Sequence, residues 1–298
     1  MVSLKSFVIR HTLRLLGSFS LPATRRLGRF LARLARHVAR DLRRTIDINL
    51  RITHPGMDEA SRRAITNDCI ESTVVNALEM TALWHHDNDW VSALPLELEG
   101  ESVLLDALHR PEGILIICPH IGNWELLGRY LPRCGPITCL YQPPRLAELE
   151  ELVRRGREQS GTRVVPTSQR GIAQLLKALR NGEMVGILPD QVPAKGSGIF
   201  APWYGQPALT MTLVHSLMQK TGCQAILGYA LREREGFRII FRQAPEALYS
   251  SDALTAVTAL NVMVEQAIAS DCAQYQWGYK RLRKQPEGLR SPYKRPAN

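Results

Sequence analysis

The feature that most restricts what this chain can fold into is a repeated unit, a short apolar run followed at once by helical spacing. Gly113-Ile-Leu-Ile-Ile-Cys118 has no polar alternation, so as a strand it must be covered on both faces. A helical stretch through 123–132 follows it. The unit recurs as a strand at 137–141 before a Glu-, Leu- and Arg-rich helix over 146–159. It recurs again as a short strand at 163–165 before a helix that Ser168 caps, that runs through Arg180 and that Gly182 ends. Residues 184–188 form another buried strand, 209–220 read as a helix with Gly222 after it, and 225–231 with 237–241 read as a hairpin before a helix over 252–269. Strands separated by helices of this length predict an α/β fold. The expected architecture is a single domain with a mixed, centrally parallel sheet flanked by helices, entered through a helix over 58–86.

A chain of 298 residues, 45% hydrophobic, can bury such a core, and disordered, collagen-like and disulfide-scaffold readings fail on composition. The six cysteines form no C-x-x-C pair, and several lie in apolar runs, which fits a reducing compartment. No run of 18 or more residues is apolar throughout, so no membrane-spanning helix is expected. Arg10, His11 and Arg14 interrupt the only apolar stretch near Met1, so no secretory signal is expected either.

The formal net charge of +10 points to an anionic partner, and its distribution is uneven. Residues 1–54 carry twelve Lys/Arg against Asp41 and Asp47, and 280–298 carry seven against Glu287, around an acidic middle. The expected division is therefore 1–54, basic amphipathic membrane-associating helices, and 55–298, an ordinary domain with a basic tail from about 280. The arginines at 25, 26, 29, 33, 36, 40, 43 and 44 fall within about 100° of helical arc, opposite Leu27, Phe30, Leu31, Leu34, Val38 and Leu42. That pattern suits an anionic membrane surface. The bland alternative is a helix packed on the domain with its arginines solvated. A nucleic-acid partner is not expected, because no aromatic-interleaved or helix-turn-helix pattern accompanies the stripe.

Ligands of such sheets bind outside the carboxyl ends of the strands, which directs attention to the residues just after Cys118, Tyr141, Val165 and Leu188. After Cys118 comes Pro119-His120-Ile121-Gly122-Asn123-Trp124-Glu125. With His120 at a strand end and Glu125 in the next helix's first turn, the two side chains are expected to meet. Glu125 would accept one imidazole N–H, and the other nitrogen could take a proton from a hydroxyl. Gly122 would let a substrate approach closely, and the helix N-terminus offers amide donors. The same spacing also fits a histidine bonded to backbone and a glutamate placed for the helix dipole. A zinc site is not expected, since H-E-x-x-H is absent and no Cys/His cluster offers a third ligand. The other strand ends add Tyr141 with Arg145, then Arg170, then Asp190 with Gln191. Two arginines on such a polar crescent suit a phosphate or an oxyanion.

At these residues the chain resembles the late acyltransferases of lipid A biosynthesis, the lauroyl and myristoyl transferases of the wider lysophospholipid-acyltransferase group that shares H-x4-D/E. The likeness spans about 115–285. It rests on 119–125, 141–145, Arg170-Gly171, 186–191, Phe200-Ala-Pro-Trp-Tyr-Gly205 with Pro207, Ala208 and Thr210, and the stretch 276–281. The resemblance implies transfer of a fatty acyl chain from an acyl-carrier-protein thioester to a hydroxyl of a lipid A precursor. The place would be the cytoplasmic face of the inner membrane, and no cofactor or metal is implied. His120 would be the general base, oriented by Glu125, and the acceptor hydroxyl would attack directly, without an acyl-enzyme. Arg145 or Arg170 would serve the oxyanion or the acceptor phosphates, and Asn123, Tyr141, Asp190 and Gln191 would be further substrate or supporting contacts. Gln142 stands where many relatives carry Arg. Residues 4–21 are too interrupted by charge for the spanning helix with which relatives often begin, so peripheral or monotopic attachment is expected. A glycerophospholipid, an ornithine lipid or another glycolipid is the alternative acceptor, and a non-enzymatic basic membrane- or nucleic-acid-binding protein is the more distant alternative.

Overall fold

The four side chains of Ile114–Ile117 are all buried, and the strand they form lies inside a seven-stranded sheet, covered on both faces. The computed structural model describes residues 4–144 and 146–294, with side chains from Phe7 onward. Three helices, α1 (Leu4–Gly17), α2 (Leu21–Val38) and α3 (Arg40–Thr53), lead into α4 (Glu59–His85) and the short α5 (Asn88–Ser92). Strands and crossover helices then alternate: β1 (Leu96–Glu99), α6 (Glu101–Leu108), β2 (Ile114–Ile117), α7 (Trp124–Tyr130), β3 (Ile137–Tyr141), α8 (Ala147–Gln159), β4 (Arg163–Pro166), α9 (Gln169–Arg180) and β5 (Met184–Ile187). A separate antiparallel ribbon follows, β6 (Gly198–Trp203) with β7 (Gln206–Met211). The chain closes with α10 (Leu213–Thr221), the hairpin β8 (Gln224–Arg232) and β9 (Phe237–Gln243), and α11 (Ala253–Ser270).

The sheet order is β1-β9-β8-β2-β5-β3-β4, and every neighbouring pair is parallel except β8 with β9. The expected mixed, centrally parallel sheet is therefore the one that forms. Alternate residues of β2 feed two cores, one on each face. Leu115 and Ile117 pack with Val185, Leu227 and Leu260, while Ile114 and Ile116 pack with Ile226, Phe241 and Leu104. By length and composition α11 is apolar enough to cross a membrane, but half of it is buried and it lies against β6.

Two expectations change. The helix read over 209–220 begins only at Leu213, because a tight turn at Tyr204 and Gly205, with φ of 47° and 72°, folds Leu209 back onto Phe200. Arg281 reinforces that strand from the side, donating to the Leu209 carbonyl and the Thr210 hydroxyl at 2.6 Å each. Its place in the sequence puts it in the basic tail expected from about 280, and it is instead buried in the core.

The arginine stripe also divides. The helices α2 and α3 run antiparallel along α4, with Gly28 against Val75, Arg36 paired to Glu71 at 2.7 Å and Asp47 to Arg62 at 2.9 Å, while α1 ends with Gly17 against His85. Arg25 is buried and donates to Glu79 at 2.6 Å and to the Gly236 carbonyl at 2.7 Å. A fully buried carboxylate needs paired charge, and Glu79 takes Arg232 as well, at 2.9 Å. Arg25 thus belongs to the domain, while Phe30, Leu34 and Val38 on α2 stand exposed.

Candidate active site

β2 and β5 are parallel neighbours with Ile117 opposite Ile187, so the residues three beyond each strand, His120 and Asp190, emerge side by side. On the other side of β2, β8 brings its backbone up to the same turn. Gly122 has φ of 57°, and a Cβ there would lie 2.0 Å from the Ala230 carbonyl oxygen. The glycine makes room for the protein's own backbone and not, as expected, for a substrate. Asn123 then donates its N–H to that carbonyl at 2.7 Å. Its side chain is fully buried and accepts from the Leu126 N–H at 3.2 Å, which makes it the N-cap of α7.

The imidazole of His120 faces Asp190. Nδ1 lies 2.7 Å from Oδ1, and Oδ2 accepts the His120 backbone N–H at 2.9 Å. With both carboxylate oxygens engaged, Nδ1 carries the proton and Nε2 is left as the acceptor. The Gln191 amide sits 3.2 Å from Nε2 and also donates to Gln276 Oε1 at 3.1 Å. Gln276 is held in place by its own N–H, which donates to the His120 carbonyl at 3.0 Å. Burial would raise the Asp190 pKa, but the charge and hydrogen bonds of His120, with Arg281 behind them, hold it below the usual carboxylate value.

Glu125 has other partners than the one expected from spacing. Its Oε2 accepts from Trp84 Nε1 at 2.8 Å and from Arg157 Nε at 3.1 Å, and its Oε1 accepts from Arg157 Nη2. The side chain reaches across to α4 and α8, which touch where a Cβ on Gly156 would lie 2.6 Å from Trp84 Cα. Asp190 takes the place at the imidazole that the H-x4-E spacing suggested for Glu125. Burial would lower the Arg157 pKa, but the Glu125 carboxylate outweighs it and raises it.

Sequence reasoning missed Arg157, although a signal was there. On α8, Arg154 pairs with Glu150 and Glu158, and Arg155 with Glu151, all four residues apart. Arg157 has Val153 and Gly161 at those distances, so its partner has to lie outside its helix. Its guanidinium stacks 5.1 Å from the ring of Tyr141, which ends β3. The buried Tyr141 hydroxyl has no partner among the described residues. Burial, and after it Glu150, raises its pKa, so it is a neutral donor beside the Arg157 guanidinium.

The remaining candidates separate. Arg145 lies outside the described residues. Arg170 is exposed in the first turn of α9 and lines a surface groove with Arg163, Lys177 and Asn181, a groove that His120, Glu125 and Asp190 do not line. Cys118 precedes the motif, but burial, and after it Asp190, pushes its thiol well above the ordinary value. Among the described residues no three His, Cys, Asp or Glu side chains converge as a metal-ligand set. These side chains supply an oriented imidazole whose Nε2 meets only the Gln191 amide, a fixed guanidinium and a neutral phenol. Such a set can take a proton from a hydroxyl and receive developing negative charge.

Residues 3–284 match the family described as bacterial lipid A biosynthesis acyltransferase. The lipid A biosynthesis lauroyltransferase of Escherichia coli K12 is 25% identical over 276 residues, covering 91% of this chain and 89% of that protein. The palmitoleoyltransferase of the same organism is 24% identical over 248 residues, covering 82% and 80%, and its myristoyltransferase 22% identical over 277, covering 92% and 84%. Among solved structures, the 1-acyl-sn-glycerophosphate acyltransferase PlsC of Thermotoga maritima is similar at a TM-score of 0.38 and 9% identity, covering 78% of this chain and 97% of that one. With a family match that spans nearly the whole sequence, the chain belongs to the bacterial lipid A biosynthesis acyltransferases.

Proposed function

We propose that this acyltransferase moves a fatty acyl group from an acyl-carrier-protein thioester to a hydroxyl of a lipid A precursor at the cytoplasmic face of the inner membrane. The observation that carries the mechanism is the His120–Asp190 pair, with Nδ1 held 2.7 Å from the carboxylate and Nε2 left to the neutral Gln191 amide. The acceptor hydroxyl takes the place of the Gln191 amide at Nε2 and gives up its proton as its oxygen attacks the thioester carbonyl. The tetrahedral intermediate then expels the carrier thiolate, which recovers that proton from the imidazolium, leaving an ester and a free thiol. Asp190 keeps the ring in one tautomer and stabilises the imidazolium. Arg157, fixed by Glu125, and the Tyr141 hydroxyl supply the positive field and the donor for the oxyanion. The buried, protonated Cys118 thiol favours direct attack over an acyl-enzyme.

Peripheral attachment fits the outer faces of α1 and α2. Phe7, Val8 and Leu15 on α1, and Phe30, Leu34 and Val38 on α2, are exposed apolar side chains on an arginine-rich arm. Two measurements test the reading. Purified protein should acylate a lipid A precursor with acyl carrier protein as donor and fail with the free fatty acid. Mass spectrometry of a deletion strain should find lipid A lacking one acyl chain. An unchanged lipid A profile beside altered glycerophospholipids or ornithine lipids would transfer the activity to those acceptors.

A further inference from the structure

Between α3 and the start of α4 lies a solvent-open cleft of about 400 Å³, lined by six arginines against two acids. The acids are already committed. Asp47 accepts from Arg51 and Arg62 at 2.9 Å each, and Glu59 accepts from Arg63. Arg43 turns to the Arg36 carbonyl and to Asn67 Oδ1, both at 3.0 Å. Arg40 and Arg44 also line the cleft, and neither has a hydrogen-bond or ion-pair partner among the described residues. Thr66 lines it too, almost wholly buried, and its hydroxyl is likewise without a partner. Donors outnumber acceptors, and the guanidinium groups left over suit a ligand with several anionic oxygens close together, which is the chemistry of a phosphate.

The position of the cleft selects the source of that phosphate. It shares no lining residue with the His120 cluster, and Arg62 is separated from Trp84, the partner of Glu125, by roughly 33 Å along α4. It adjoins the exposed apolar row of α2 instead, since only Ala39 stands between Val38, 78% exposed, and Arg40. Apolar side chains followed at once by uncommitted arginines match the order of layers in a bilayer surface, acyl boundary and then phosphate. We infer that the α3–α4 cleft holds the phosphate headgroup of an anionic bilayer phospholipid, seating the α2 row in the acyl boundary beside it.

This rests on the peripheral attachment proposed above, and co-sedimentation of the full chain with vesicles tells the two apart. The vesicles are phosphatidylcholine alone, phosphatidylcholine with about a third phosphatidylglycerol, or phosphatidylcholine doped with lipid A precursor. The wild-type chain should partition onto the anionic vesicles. The double variant Arg40→Gln/Arg44→Gln should bind them about tenfold less tightly and bind neutral vesicles as the wild type does. Arg180→Gln/Lys220→Gln removes the same charge from exposed side chains that do not line the cleft, and should keep wild-type partitioning. A wild-type chain that ignores all three vesicles overturns the attachment itself. Wild-type binding with an unimpaired cleft variant, or an equally impaired control, overturns the cleft alone. A loss confined to neutral vesicles doped with lipid A precursor would give the cleft to the acceptor's phosphates and overturn the bilayer assignment.

Discussion

Two carboxylates flank the turn that carries His120, and their partners differ in kind. Asp190 engages the imidazole and backbone of His120, a ring that can gain and lose a proton. Glu125 engages Trp84 and Arg157, a guanidinium that never loses its proton. The first pair therefore sets where a proton goes, and the second sets where a positive charge stands. Five residues of spacing bring His120 and Glu125 to one site without making them partners. Strand register chooses the partner, because Ile117 opposite Ile187 delivers Asp190, and not Glu125, to Nδ1.

The contrast is tested most severely at the ring. His120→Ala should lower kcat by about 10³-fold or more while the circular dichroism spectrum is unchanged, since it removes the general base of the mechanism. Asp190→Asn should come next, with a fall of about 10²- to 10³-fold, because an amide no longer selects the Nδ1–H tautomer. The same variant has a signature in acid. The folded-state pKa of Asp190 is depressed, so its contribution to stability is complete above the ordinary value of 3.8 and is lost as the pH falls through the lower folded value. Thermal melts of the wild type should therefore decline more steeply below about pH 4 than melts of Asp190→Asn. Parallel declines would mean that the pair does not form in solution.

Glu125→Gln and Arg157→Lys test the second pair. Each should cost about 10- to 100-fold in kcat, through a guanidinium left unclamped or a fork replaced by a point charge. Neither variant touches the imidazole, so the pH profile of kcat should keep its wild-type shape while its height drops. A displaced profile in Glu125→Gln would restore the direct Glu125–His120 contact that the spacing suggested.

The parts legible in sequence are those set by local chemistry. The wholly apolar run before Pro119 had to be an inner strand, and the polar residues after it had to lie at its carboxyl end. Long-range choices were not legible. Leu96–Glu99 alternates like many loops and becomes a strand only because β9 lies beside it. Residues 209–211 have helical spacing, yet Arg281, seventy residues on, helps hold them in a ribbon. The eight-arginine stripe was periodic in sequence, but a single buried acid, Glu79, drew Arg25 out of it. In each case a partner distant in the chain overrode a correct local pattern.

Asn123 gives the smallest effect and the finest division between the two pairs, since it lies between His120 and Glu125 in the chain. As a substrate contact its loss would act on turnover, whereas as the buried cap of α7 its loss acts on stability. Asn123→Ala should therefore cost about 1 kcal/mol in urea unfolding and lower kcat by less than about tenfold, through slackening of the turn. Asn123→Asp sharpens this, because it keeps the capping oxygen but sets a second carboxylate near Glu79, whose Oε2 lies 3.5 Å from the Asn123 amide. At an ordinary helix end aspartate caps as well as asparagine, so any excess cost over Asn123→Ala measures like-charge repulsion inside the Glu79 cluster. An Asn123→Ala variant of full stability with turnover as low as Glu125→Gln would return this residue to the substrate.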